Sequence, residues 1–154
     1  MSKRDEINTA LKTAMRNKDT VAVSTIRLIL AAIKERDISA RGEGKTEGLS
    51  DADIAGLLQT MIKQREESAS TYDQAGRVDL AERERAEKEV IRRFLPRPLS
   101  EEEVEGAVDR AIAETGAGDM KQMGQVMAYL KAHYAGQIDF SRVSTLVRSK
   151  LGQG

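Results

Sequence analysis

The chain has 154 residues, 40% hydrophobic and 32% charged, with 25 basic against 25 acidic side chains. It is long enough to bury a core, and its zero formal charge supplies no bulk field toward nucleic acid or membrane. The absence of cysteine excludes disulfides, zinc thiolates and cysteine nucleophiles, and 3% aromatic residues with two prolines make a mixture that favours helix.

The first helical pattern is Ile7, Leu11, Ala14 and Met15, interrupted by Asn17-Lys18-Asp19. A second helix is predicted from about Val21 to Asp37, with Val23, Ile26, Ile29, Leu30 and Ile33 on one stripe. Leu28, Ala31 and Ala32 extend its apolar surface, so it is expected to be the most buried helix. The stretch SARGEGKTEG (39–48) reads as a loop. Ser50 with Asp53 starts a long helix carrying Ile54, Leu57, Leu58, Met61, Ile62, Ala69 and Tyr72, and Gly76 stops it. Asp79 and Glu82 suggest a capping box for the next helix, which carries Leu80, Val90, Ile91 and Phe94. The short turn between the two implies an antiparallel hairpin.

LPRPL (95–99) breaks the helix, since Pro96 and Pro98 lack the amide donor. Ser100 and Glu103 open a helix that ends at TGAGD (115–119). A sixth follows over MGQVMAYLK to about Tyr134, and Val143, Leu146, Val147 and Leu151 mark a seventh. No strand alternation is present. The expected fold is all-α: an N-terminal four-helix bundle over 1–95, a Pro-containing linker over 96–99 and a small three-helix domain over 100–154. No apolar run approaches the roughly 20 residues of a membrane span. The N-terminal stretch lacks the apolar core of a signal peptide, and Asp5 and Glu6 speak against a mitochondrial presequence, so the expected location is cytoplasmic.

Within the bundle, Leu80, Glu84, Glu87, Ile91 and Phe94 share one side of their helix, placing two carboxylates on an apolar stripe. On the preceding helix Arg65 lies mid-stripe and Tyr72 a little beyond. Folding the hairpin brings Arg65 within a turn of Glu87 and Tyr72 near Glu84. An acid/base carboxylate pair would read as catalysis. With no nucleophile or metal ligand beside it, the favoured reading is a structural ion pair that fixes register. No catalytic residue, metal or cofactor is assigned, and His133, the only histidine, reads as a surface residue near a helix end.

Residues 101–118 carry six acids against one base, whereas Lys121, Lys131, Arg142, Arg148 and Lys150 outweigh Asp119 and Asp139 further on. A basic side on a small helical domain can sit on phosphates. Gly124 costs helix stability, and it shares a side with Ala128, Lys131 and Ala135. That suggests close approach, of a neighbouring helix or of a nucleic-acid backbone. No exposed aromatic array is evident, so shape and phosphates would dominate any RNA contact.

KQREESASTYDQAGRVDLAERERAEKEVIRRFLPRPLSEEEV (63–104) and GAGDMKQMGQVMAYLKAHYAGQIDFSRVSTLVRSKL (116–151) resemble the YqeY family. That family is similar to the C-terminal tail (GatB/YqeY domain) of the B subunit of the tRNA-dependent Glu-tRNA(Gln)/Asp-tRNA(Asn) amidotransferase. The resemblance implies a helical bundle with a three-helix domain and a tRNA-directed role, in which catalysis lies elsewhere. The carbon–nitrogen ligase label, with glutamine as amide donor, transfers only at family level, since neither an ATP-using core nor an amidase Ser-Ser-Lys set is visible. The matching positions are Met123, Gly124, Gln125, Val126 and Met127, then Gly136, Asp139, Val143, Ser144 and Val147. Gly124, Gln125, Lys131 and Gly136 are the expected surface part, with Lys121, Arg142 and Arg148 as basic neighbours. Gln125 is neutral where the family often has a basic residue. The implied partners are tRNA and an aminoacylation or amidotransferase complex, with no DNA and no membrane. The alternative is a helical protein-interaction adapter without an RNA partner.

Overall fold

The computed structural model describes residues 1–152. Seven α-helices and no strand occur among the described residues. They are α1 (Lys3–Arg16), α2 (Thr20–Gly42), α3 (Asp51–Gln74), α4 (Val78–Arg92), α5 (Glu101–Thr115), α6 (Met123–Tyr134) and α7 (Phe140–Gly152), with a 3-10 turn at Met120–Gln122. The chain divides into two compact units, Met1–Pro96 and Arg97–Gly154.

In the first unit, α3 and α4 form the expected hairpin. The connection is tight because Gly76, at φ 74, adopts the left-handed conformation, and Arg77 N donates to the Tyr72 carbonyl. Three residues, Ala75 to Arg77, join the helices, and α4 starts at Val78, one residue before its expected cap. Asp79 therefore lies inside the first turn and pairs with Arg77, and α4 has no side-chain cap. The other boxes form at Ser50/Asp53 and Ser100/Glu103, and a third, Ser2/Asp5, opens α1. Three residues, Asn17 to Asp19, join the end of α1 to the start of α2. Lys18 takes φ 55, and the Asp19 carboxylate caps α2 by accepting from Ala22 N at 3.1 Å.

The core of this unit joins Ile7, Ile29, Ile54, Leu58 and Ile91, all inaccessible, with Ile26, Ile33, Val90 and Phe94. Two expectations change here. Helix α2 runs through Gly42, because one more turn buries Ala40. It is also not covered on all sides: Leu28 is 47% exposed and Ala31 is exposed.

The segment after α2 is held by one carboxylate. Asp37 accepts from both terminal nitrogens of Arg4, at 2.7 and 2.5 Å, and from Leu49 N at 2.9 Å. Arg4 also donates to the Leu49 carbonyl. A Cβ at Gly48 would lie 2.5 Å from Asp37 Oδ1, so only glycine fits there. These hydrogen bonds hold the Asp37 carboxyl down to about 2, Arg4 first and the Leu49 amide second.

The second unit packs α5, α6 and α7 around Val108, Ala111, Val126, Leu130, Val143 and Val147. Leu99 N donates to the Gln137 carbonyl at 3.0 Å, and the Gln137 side chain donates to the Arg97 carbonyl at 3.1 Å. The turn between α6 and α7 is thus stitched to the strand of chain leading into α5.

Candidate nucleic-acid interface

Helix α6 is amphipathic in a simple way. Val126 and Leu130 are buried, and Met123 and Met127 lie half-buried against the same core. The opposite side carries Gly124, Gln125, Ala128, Lys131 and Ala132, all exposed. Asp119 caps the preceding 3-10 turn by accepting from Lys121 N at 2.9 Å, which fixes the backbone of exposed Lys121.

Gly124 stands at the second position of α6 rather than in a helix interior, and a Cβ there would meet nothing within 4 Å. Close packing on a neighbouring helix therefore does not explain it. Gly136, expected on the surface, is buried with φ 82, because it makes the turn that leads toward α7. The expected basic residues do not form one patch. Lys131 shares the side of Gly124, whereas Arg142 and Arg148 lie on α7 and project about 120° apart. Arg142 is 90% exposed and reaches Asp139 at 4.0 Å. Lys150 is spent on α5: it contacts Asp109 at 2.5 Å and Glu105 at 3.4 Å. The hydrogen bond to Asp109 raises its pKa.

Sequence reading missed an aromatic edge. Tyr129 and exposed His133 stack with ring centroids 4.1 Å apart and planes 30° apart. Their i,i+4 spacing on one helix was the available signal. The bare centre of α6 is thus flanked by Lys131 on one side and this pair of rings on the other.

In the first unit, Arg65 Nε lies 3.4 Å from Glu87 Oε2, both side chains about 15% exposed (15% and 14%). Arg83 adds a longer contact to Glu87, at 3.8 Å. The hairpin turn sets these two side chains opposite one another. Tyr72 is not hydrogen-bonded to Glu84 among the described residues; its backbone carbonyl accepts from Arg77 N at 2.8 Å. The cleft beside the pair is walled by Arg65, Glu66, Ser70, Asp73, Arg85 and Lys88, without Glu84 or Glu87. Among the described residues no group of three or more Asp, Glu or His side chains could hold a metal ion.

The family model for Yqey-like protein matches residues 4–151. The chain belongs to the YqeY-like family. Among curated relatives, this YqeY-like chain is 35% identical over 106 residues to altered inheritance of mitochondria protein 41, mitochondrial, of Lachancea thermotolerans, covering 68% of this chain and 54% of that one. The protein of the same name in Clavispora lusitaniae is 36% identical over 111 residues, 71% of this chain and 62% of the relative. That of Saccharomyces cerevisiae is 28% identical over 140 residues, 88% and 69%. The chain thus spans little more than half the length of the first two relatives.

These names correct the expected cytoplasmic location, since all three relatives are named as mitochondrial. Asp5 and Glu6 do not bear on that location. Both sit in the first turn of α1, Asp5 in its capping box and Glu6 paired with Lys3 at 3.0 Å. They are folded-domain residues and carry no information about destination.

Proposed function

We propose that the chain is a non-catalytic helical module that takes the backbone of a tRNA across the uncovered face of α6. The observation that carries this reading is the empty space over Gly124, flanked by Lys131 and the Tyr129–His133 stack. A helix surface without side chains admits a phosphate–sugar backbone closely, a lysine supplies a phosphate contact, and a ring offers a stacking surface to an unpaired base. The similarity to the amidotransferase B-subunit tail supplies tRNA as the class of RNA, and amidotransferase or aminoacylation assemblies as the setting. Following the relatives, that setting is taken as mitochondrial.

The test is a tRNA mobility-shift titration at two salt concentrations. Binding is expected to weaken with salt and to fall when Lys121, Lys131 and Arg142 are replaced by Ala. Gly124→Leu is expected to keep the fold, since nothing lies where its side chain would go, and to lose binding. Binding that ignores both salt and these replacements would overturn the proposal.

A further inference from the structure

Helix α2 carries two apolar stripes. The first, with Ala22, Ile26, Ile29 and Ile33, faces the core. The second is uncovered: Val21, Leu28 and Ile38 are 40%, 47% and 60% exposed. Together with Ser24, Ala31 and Glu35 they recur at alternating steps of three and four residues, which is the register of a coiled-coil seam. Seen down the helix, the six positions fall within an arc of about 100°.

Two further features adjoin this seam. On one side α2 and α3 part to leave an open groove of about 430 Å³, floored by Leu28, Ala32, Leu57 and Met61. On the other, Arg27, Lys34 and Arg41 recur every seventh residue and are all exposed. Arg27 and Lys34 form no ion pair among the described residues, and Arg41 lies in the field of Asp37.

We propose that this face docks an amphipathic helix of a partner protein, one with an apolar seam and an acidic edge. The concave floor beside a heptad-spaced stripe suits a helix laid into a groove. Arg27 and Lys34, without ion pairs among the described residues, call for carboxylates on the partner, and Glu35, inside the seam, calls for one hydrogen-bond donor facing it. A second copy of the chain fits less well. Pairing two α2 helices antiparallel sets basic edge against basic edge, and pairing them parallel sets Glu35 against Glu35. A lipid surface fits less well too, because it would strand Glu35 in the apolar layer and leave the groove unfilled. This face lies wholly within Met1–Pro96, so it is independent of the α6 reading.

The experiment uses the full chain and two fluorescent helical peptides with the same leucine seam, one with glutamates along the matching edge and one with lysines. Anisotropy titrations are expected to show the glutamate peptide binding at least about tenfold more tightly. Leu28→Glu should abolish that binding while leaving the thermal melt in place, because the side chain is half exposed. A second variant, Arg27→Glu with Lys34→Glu, changes only exposed residues and should reverse the preference between peptides. Equal affinity for both peptides, or no binding of the glutamate peptide, would overturn the proposal. So would a sedimenting dimer, or flotation on phosphatidylglycerol vesicles, that Leu28→Glu dissolves.

Discussion

Thr25 is fully buried on α2, and its hydroxyl has no hydrogen-bond partner among the described residues. An unmatched buried hydroxyl forfeits its hydration without return. Thr25→Val keeps the branched shape and is expected to stabilise the protein by about 1 kcal/mol, read as a higher midpoint in urea unfolding. An unchanged or lower midpoint would show that the oxygen has a partner in solution. Gly124 is the opposite case, a surface residue whose replacement touches nothing. Gly124→Ala is expected to raise stability by about 0.5 kcal/mol, less than at a helix interior because the site is in the first turn. If the same substitution weakens RNA binding, folding and binding have been separated at one atom. The sequence made the cost of Gly124 visible through helical periodicity. It could not reveal whether the space above the Cα was filled, because that depends on which neighbouring helices come near. The bare α6 face and the buried, left-handed Gly136 both lay beyond periodicity for this reason.

Among elements, the α3–α4 hairpin was the most legible. Its turn glycine and two amphipathic patterns fix which residues lie opposite, and the contacts follow: Arg65 with Glu87, Lys88 with Glu66, and Arg85 with Asp73. Glu87→Ala leaves Arg65 without its carboxylate in a largely buried position. The expected loss is about 2 kcal/mol, below that of a fully buried pair because some solvent reaches both groups. An Arg65→Ala, Glu87→Ala double variant should lose less than the sum of the single ones, which a double-mutant cycle in urea would measure. Helix α2 was legible in extent only to Asp37, because glycine and charge beyond it outweighed a single buried alanine. Its apolar residues were legible as apolar, but not as two stripes with different fates. Composition says how much surface wants covering; the packing of α3 and α4 decides how much is covered.

At the scale of the whole molecule, acid lability is concentrated in a few carboxylates. Asp37 titrates near 2 in the folded chain, below its ordinary value near 3.9 when unfolded. Its contribution is therefore fully present above the unfolded value and is lost as pH falls through about 4 to 2. Asp37→Asn should cost stability at pH 6 and progressively less toward pH 2, measured as urea midpoints by circular dichroism. A gap that stays constant with pH would count against the ion pair as its source. Glu103, held to about 2 by Arg97 and then by the Ser100 amide, follows the same sign in the second unit. That unit has the smaller core, built mostly of alanine and valine. Its amides in α5–α7 are expected to exchange hydrogen faster than those of α3 and α4 in the intact chain, and equal protection would refute the ranking.

The Arg4–Asp37–Leu49 clasp also has a consequence for how related chains can differ in length. It pins the backbone at Leu49, while residues 43–47 span the gap from the end of α2. Extra residues inserted between Gly44 and Glu47 would lengthen a closed loop, for which the entropic penalty grows only logarithmically, by about 0.6 kcal/mol per doubling. An insertion that moves Gly48 would instead drive a side chain into the carboxylate. Length variation in this fold is thereby channelled into a window of a few residues upstream of one glycine.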